Sequence, residues 1–175
     1  MLSADDCYTD LEMFRKSLED ARKCLESVDP EKAETSLLNA LSLWREPHLA
    51  CFPETIPIEP VRLQLAEEYH ESVNLLTDAQ LALGKHRQLI GPLLARTRQY
   101  PLDQHCWVQL ITALYAVGRH YEAFAAYEQL RHHTTEASGT DPSLEAQRLY
   151  QRMLDADPAL QQHAKVVMPA AGRLT

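Results

Sequence analysis

Two carboxylate–histidine pairs have the spacing at which one helix could present both side chains to a metal ion. Glu67 and His70 lie three residues apart, as in one half of a carboxylate-bridged di-iron site. That site needs a second such pair and two further glutamates, and the sequence has no second Glu-x-x-His. Glu128 and His132 lie four residues apart, but cationic residues near a helix C-terminus are stabilising without any metal. We therefore expect no metal and no other cofactor.

Residues suited to nucleophilic catalysis do not form a set either. His105 and Cys106 are sequence neighbours, so on a helix their side chains point to different faces. The sequence has no nucleophile elbow, no P-loop and no dinucleotide-binding glycine motif. No two of the four cysteines form a C-x-x-C pair, and we interpret all four as reduced and partly buried; they are Cys7, Cys24, Cys51 and Cys106. The pattern favours a protein that is not an enzyme.

The segment 107–130 predicts two short antiparallel helices. Trp107, Leu110 and Leu114 recur at the spacing of one apolar helix face. Gly118 supplies the positive φ that ends a helix, and the helical period then resumes as far as Leu130. Such a hairpin cannot bury both its faces alone, so it needs neighbours.

A neighbour lies one repeat upstream. Gly84 precedes Gly118 by 34 residues, and Leu76 precedes Leu110 by the same interval, which is the period of tetratricopeptide repeats. No segment shows the alternation of a β-strand. The sequence therefore predicts an all-α, tetratricopeptide-like α-solenoid of about seven or eight helices.

Cap signals predict where the other helices begin and end. Thr9 with Glu12 is a capping box, and Asp29-Pro30 and Asp141-Pro142 each place an N-cap residue before a proline. The stretch after Leu130 loses the apolar period and is expected to turn at Gly139.

Prolines define the domain organisation. Residues 45–60 contain four prolines and are expected to form an inter-repeat loop packed onto the helices, with a mobile binding loop as the alternative. Residues 1–164 are predicted to form a single helical domain, and residues 165–175 a flexible tail.

The amino-acid composition indicates which classes of binding partner are disfavoured. Seventeen basic and 25 acidic residues give a net charge of −8, which argues against direct binding to nucleic acid. No apolar run reaches the length of roughly 20 residues that spans a bilayer, so we expect no membrane-spanning helix and no membrane partner. The N-terminal residues show no secretion signal, so a cytoplasmic location is expected.

Four stretches carry a resemblance to a known family. They are Trp44-Arg45 with Pro47 and Leu49; Leu81-Ala82-Leu83-Gly84-Lys85-His86; Leu114-Tyr115 with Gly118-Arg119, Glu122-Ala123, Ala125 and Tyr127; and Gly139-Thr140-Asp141-Pro142-Ser143 with Glu145, Leu154 and Asp157-Pro158-Ala159-Leu160. Together they resemble the bacterial transcriptional activator domain of the Streptomyces antibiotic regulatory proteins, from about Thr9 to Leu160.

This resemblance implies a regulator of secondary metabolism that works through protein contacts. The implied partner is another regulator, RNA polymerase or a second copy in a homodimer. Family members normally carry a winged-helix DNA-binding domain ahead of the helical one. The sequence begins at the helical domain, so we expect the DNA-binding domain to be missing, and the chain to be either a fragment of a longer regulator or a free-standing relative. Glu46 also replaces the small residue that is common after Trp-Arg in the family.

Tetratricopeptide arrays bind ligands in a groove lined by the first helix of each hairpin. Carried over from the motif, the groove positions are Glu71, Asn74, Asp78, His105, Val108, Thr112 and Tyr115. Carboxylates there would accept hydrogen bonds, and His and Tyr would donate and stack. The alternative is that Glu71, Asn74 and Asp78 belong to an ordinary solvated helix face.

Two functions follow from this groove. The first is a protein-interaction module of a transcriptional regulator. The alternative is a stand-alone small-molecule-binding protein, or an enzyme, of a natural-product gene cluster built on the same scaffold. A closed apolar pocket with converging polar groups would favour the alternative.

Overall fold

A computed structural model of the chain describes residues 10–44 and 59–160. Within these ranges the secondary structure is seven α-helices and one 3-10 helix, with no strand, so the predicted all-α fold is confirmed. The α-helices are α1 (Asp10–Glu26), α2 (Pro30–Ser42), α3 (Glu59–Ala82), α4 (His86–Gln99), α5 (Gln104–Ala116), α6 (His120–Ser138) and α7 (Leu144–Leu154), and the 3-10 helix is Pro158–Leu160. None of these helices is long and apolar enough to cross a bilayer.

Several predictions concern residues outside the described ranges. These are the Thr9 cap, Cys7, Cys51, residues 45–58 of the proline-rich segment and the tail at 165–175. The last two residues of that segment, Glu59 and Pro60, already belong to α3, because a proline is tolerated in the first turn of a helix.

The chain divides into two compact units, Met1–Ala79 and Gln80–Thr175, and α3 continues across the boundary. In the first unit, α1 and α2 form a hairpin whose core contains Phe14, Leu18 and Leu37, all at most 2% exposed. Asp29 caps α2 as predicted, since its Oδ1 accepts the Lys32 N–H at 3.2 Å. Removing these side chains from water is the main force that holds the hairpin together.

The second unit is built around α5, which packs against α4, α6 and α7. Leu110 and Ile111 are fully buried, and Trp107 is 4% exposed with its Nε1 donating to the Pro101 carbonyl at 3.0 Å. This is the hairpin core that the spacing of Trp107, Leu110 and Leu114 predicted.

The 34-residue repeat is visible in backbone hydrogen bonds. At the end of α3, the Gly84 N–H donates to Leu81 and the Lys85 N–H to Gln80. The residues 34 positions later make the same bonds at the end of α5, and Gly84 and Gly118 have φ of 76° and 83°. Both ends are Schellman motifs, in which the left-handed residue is usually glycine because it has no Cβ.

Two boundaries differ from those predicted. α6 continues to Ser138 instead of ending near Leu130, and Gly139 then forms its left-handed C-cap with φ of 68°. Burial of Thr134 on the inner face sustains the helix where the apolar period fades. The N-cap of α7 is Ser143 rather than Asp141, since the Ser143 Oγ accepts the Ala146 N–H at 3.4 Å.

Candidate functional site

Packing covers most of α5 and leaves one face partly open. Nine of its thirteen residues are buried against the neighbouring helices. His105, Val108 and Thr112 are partly exposed and lie at positions i, i+3 and i+7, so they share a single helix face. All three were predicted to line a groove.

Helix α7 runs parallel to α5 beside this face. At the start of both helices, the Ser143 N–H donates to the Gln104 side-chain oxygen at 2.6 Å. Near their other ends, the Tyr115 hydroxyl donates to the Met153 carbonyl at 3.2 Å. One hydrogen bond joins the starts of the two helices and the other joins the regions near their ends. Together they fix the direction and the register of α7 relative to α5.

A cavity of about 410 Å³ lies between α5, α7 and the 3-10 helix. Its lining residues are Val108, Thr112, Glu145, Arg148, Leu149, Arg152 and Leu160, and we call this space the α5–α7 cavity. Leu149 and Leu160 are 6% and 8% exposed, whereas the three charged residues lie at the surface. The cavity therefore combines an apolar interior with a charged opening, and its volume falls within the range of small-ligand sites.

Two of the charged residues at this opening lie close to a side chain that can pair with them. Arg152 Nε donates to the Asp157 carboxylate at 2.7 Å, and this bond, with the Ala159 N–H, holds the pKa of Asp157 below its usual value. Glu145 lies 3.9 Å from His105 Nδ1, a contact that is ionic only when the histidine is protonated.

Two other residues that line the cavity, Arg148 and Thr112, also carry polar groups. Within 10–44 and 59–160, neither the Arg148 guanidinium nor the Thr112 hydroxyl has a hydrogen bond or an ion pair. A guanidinium presents five N–H donors, and a hydroxyl can donate and accept. The α5–α7 cavity thus offers uncommitted polar groups beside an apolar wall, which is the arrangement that an amphipathic ligand needs.

Tyr115 does not share this surface. Its side chain is 3% exposed, its hydroxyl is bonded to Met153, and its ring stacks on His120 with a centroid distance of 4.4 Å. The residue that was predicted to donate to a ligand is therefore part of the core of the second unit.

The other predicted groove residues belong to the first unit. Glu71 receives two hydrogen bonds from Arg22, at 2.9 and 2.6 Å, which join α3 to α1. Asn74 and Asp78 are half-buried on α3. The assignment of these three residues to a binding surface stays a prediction.

The sequence prediction missed the α7 side of the cavity. Glu145, Arg148 and Arg152 repeat the i, i+3, i+7 spacing of His105, Val108 and Thr112, each 40 residues later. A 34-residue template places its third unit six residues too early. The difference arises mainly from α6, which has 19 residues where α4 has 14. The charged i, i+3, i+7 face of α7 was the available signal.

His105 and Cys106, which the sequence analysis considered for nucleophilic catalysis, do not share one environment. Cys106 is fully buried and desolvation raises its pKa to about 11, while the His105 side chain is 38% exposed. They face different environments, as predicted, and the Cys106 thiol is poorly suited to nucleophilic attack. Within 10–44 and 59–160, no three His, Cys, Asp or Glu side chains cluster closely enough to hold a metal ion.

Comparisons with known proteins point to one family. The family described as "Bacterial transcriptional activator domain" matches residues 9–154. The chain is 28% identical to Regulatory protein DnrI of Streptomyces peucetius, over 98% of this chain and 63% of that protein. It is 34% identical to Regulatory protein AfsR of Streptomyces coelicolor, over 80% of this chain and 14% of that one.

A structural comparison agrees. The chain superimposes on Mycobacterium tuberculosis EmbR, solved in complex with a low-affinity phosphopeptide, with a TM-score of 0.79 and 27% identity. The match covers 89% of this chain and 41% of the EmbR chain. The chain therefore corresponds to one part of these longer regulators.

Proposed function

Because the chain belongs to the bacterial transcriptional activator domain family, we propose that it is a protein-interaction module of a transcriptional regulator. The match of that family to residues 9–154 carries the proposal. The proposed partner is RNA polymerase, another regulator or a second copy of the chain. The genes controlled are proposed to be those of secondary metabolism, as the resemblance to the Streptomyces antibiotic regulatory proteins implies.

The charge and the helical architecture support protein as the partner. A net charge of −8 disfavours contacts with phosphate groups, which dominate binding to nucleic acid. Grooves between stacked helical hairpins are extended surfaces, which suit recognition of a peptide or protein. EmbR, which shares this fold, forms a complex with a phosphopeptide, although the matched region is 41% of that chain.

A transcription assay in bacteria tests this proposal. The chain is fused to a heterologous DNA-binding domain, and a reporter promoter carries the corresponding operator. We expect the fusion to raise transcription above the level given by the DNA-binding domain alone. Capture of purified RNA polymerase by the immobilised chain would identify polymerase as the direct partner. Sedimentation of the chain alone tests self-association.

The control is a Leu110→Ala fusion, in which the core of the second unit is disrupted while the surface residues are kept. Activation by the parent fusion and loss of activation by the variant would support the proposal. A folded, well-expressed parent fusion that neither activates the reporter, nor captures polymerase, nor self-associates would refute it.

A further inference from the structure

We infer that the α5–α7 cavity is a docking site for a protein segment in which a carboxylate side chain neighbours an aliphatic one. This inference rests on the proposed function, since it specifies the chemistry of the partner.

The apolar wall of the cavity selects the aliphatic group. Val108, Leu149 and Leu160 come from three different elements and converge on the same space. Burial of one leucine-sized side chain there would strengthen binding roughly ten- to a hundredfold before the cost of ordering the segment. An entirely polar segment would forgo this contribution.

Arg148 selects the carboxylate. It is exposed at the opening of the cavity and has no ion pair within residues 10–44 and 59–160. An arginine can bind a carboxylate through two parallel N–H donors, and such charge-assisted bonds are stronger than neutral ones. Arg152 is already paired with Asp157, so Arg148 is the guanidinium at this opening that can bind the carboxylate.

The net charge of −8 does not prevent an acidic segment from binding here. At physiological ionic strength the Debye length is about 8 Å, so acidic residues farther than this from Arg148 are largely screened. Glu145 lies one helical turn before Arg148 and repels a carboxylate at that end. The acidic group is therefore directed to Arg148 and away from Glu145.

The shape of the opening favours a chain segment over a small molecule. Glu145, Arg148 and Arg152 are all exposed and follow one another along α7 over about 10 Å. This distance matches about three residues of extended backbone. A small-molecule site encloses most of its ligand, whereas an opening that runs along a helix lets a chain enter and leave.

The test uses a fluorescein-labelled peptide with alternating glutamate and leucine residues, and follows its anisotropy as the chain is added. We expect saturable binding that Arg148→Glu weakens about tenfold or more, with a smaller effect at high salt. The matched control is Arg87→Glu, the same charge reversal on an exposed α4 residue outside the cavity lining. Arg87→Glu should bind the peptide like the parent chain. Equal circular dichroism spectra and melting temperatures show that both variants fold.

Two further peptides and one small molecule test the chemistry. A peptide with glutamine in place of glutamate and one with serine in place of leucine should each bind at least about tenfold more weakly. In ¹H–¹⁵N spectra, the glutamate–leucine peptide should shift the amide signals of Val108, Thr112 and Leu149. Tighter binding of a phosphoserine peptide would overturn the choice of a carboxylate. Tighter binding of octanoate would overturn the choice of a protein segment.

No saturable binding at millimolar peptide, or equal losses in Arg148→Glu and Arg87→Glu, would overturn the inference itself. The transcription assay separates this failure from that of the proposed function. If an Arg148→Glu fusion activates the reporter as strongly as the parent, the docking site is wrong and the interaction module stands. If the parent fusion fails every interaction test, the proposed function is refuted.

Discussion

Removing the hydroxyl of Tyr115 separates a structural role from a ligand-binding one. The sequence placed Tyr115 in a groove, whereas the structure places it in the core with 3% exposure. Its hydroxyl donates to the Met153 carbonyl at 3.2 Å and so links α5 to the end of α7. Tyr115→Phe deletes this bond and keeps the aromatic ring stacked on His120.

The loss of stability expected for Tyr115→Phe depends on whether the Met153 carbonyl keeps another hydrogen-bond donor. A typical intramolecular hydrogen bond contributes about 0.5–1.5 kcal/mol. The Met153 carbonyl also accepts the Ala156 N–H at 3.1 Å, so the substitution leaves no buried acceptor without a partner. The cost should therefore be about 1 kcal/mol, or a fall of about 2–4 °C in melting temperature for a chain of this size.

The assay is urea denaturation followed by circular dichroism, with Tyr121→Phe as the matched control. Tyr121 is 86% exposed and has no hydroxyl partner within 10–44 and 59–160. The same chemical change there should alter the free energy of unfolding by less than about 0.5 kcal/mol. Both variants should bind the glutamate–leucine peptide with the affinity of the parent chain.

The structural role of the Tyr115 hydroxyl fails this test if Tyr115→Phe is as stable as the parent, or if Tyr121→Phe loses as much free energy of unfolding. It also fails if Tyr115→Phe keeps its stability but loses peptide affinity. That outcome would restore Tyr115 to the binding surface on which the sequence placed it.

Three further predictions concern other parts of the chain. Val28 has φ of 58° and is 86% exposed at the end of α1, so Val28→Gly should relieve backbone strain and raise the free energy of unfolding by about 0.5–1 kcal/mol in urea denaturation. Unchanged or reduced stability would contradict this. Leu110→Ala should lower stability by about 2–5 kcal/mol in the same assay, while Leu102→Ala, at a 58% exposed position, should change it by less than about 0.5 kcal/mol. In a variant that keeps Cys106 as its only cysteine, the buried thiol with a pKa of about 11 should not react with Ellman's reagent at pH 8 until the chain is unfolded. Rapid reaction of the native chain would refute its burial.

The polar side chains that line the α5–α7 cavity differ in whether they already have a partner within the fold. Arg152 is held by an ion pair with Asp157, and Glu145 lies 3.9 Å from His105 Nδ1. Arg148 and Thr112, beside the apolar wall, have no hydrogen-bonding or ionic partner in the described part of the chain. A partner that supplies one carboxylate and one aliphatic side chain would satisfy both parts of the cavity at once.

The sequence by itself determined the local features of this protein. Gly84 and Gly118 mark two Schellman ends 34 residues apart, and the apolar spacing of Trp107, Leu110 and Leu114 specifies the buried face of α5. Helix periodicity, capping and left-handed turns depend on residues within one or two turns of each other, so they can be predicted from adjacent sequence. The resemblance to the family rests on the same local motifs.

Only the tertiary structure decided which residues meet. The groove positions of the tetratricopeptide motif assigned Tyr115 to an open face, because the motif could not show that α7 covers that end of α5. The longer α6 and a following loop that is one residue longer together shift α7 by six residues from the 34-residue template, and this shift brings Arg148 beside Val108 and Thr112. Register between helices depends on packing between residues distant in sequence, and one extra helical turn changes every such contact. The site was therefore hidden from a repeat of fixed period, although each of its residues lies on a helix that the sequence predicted.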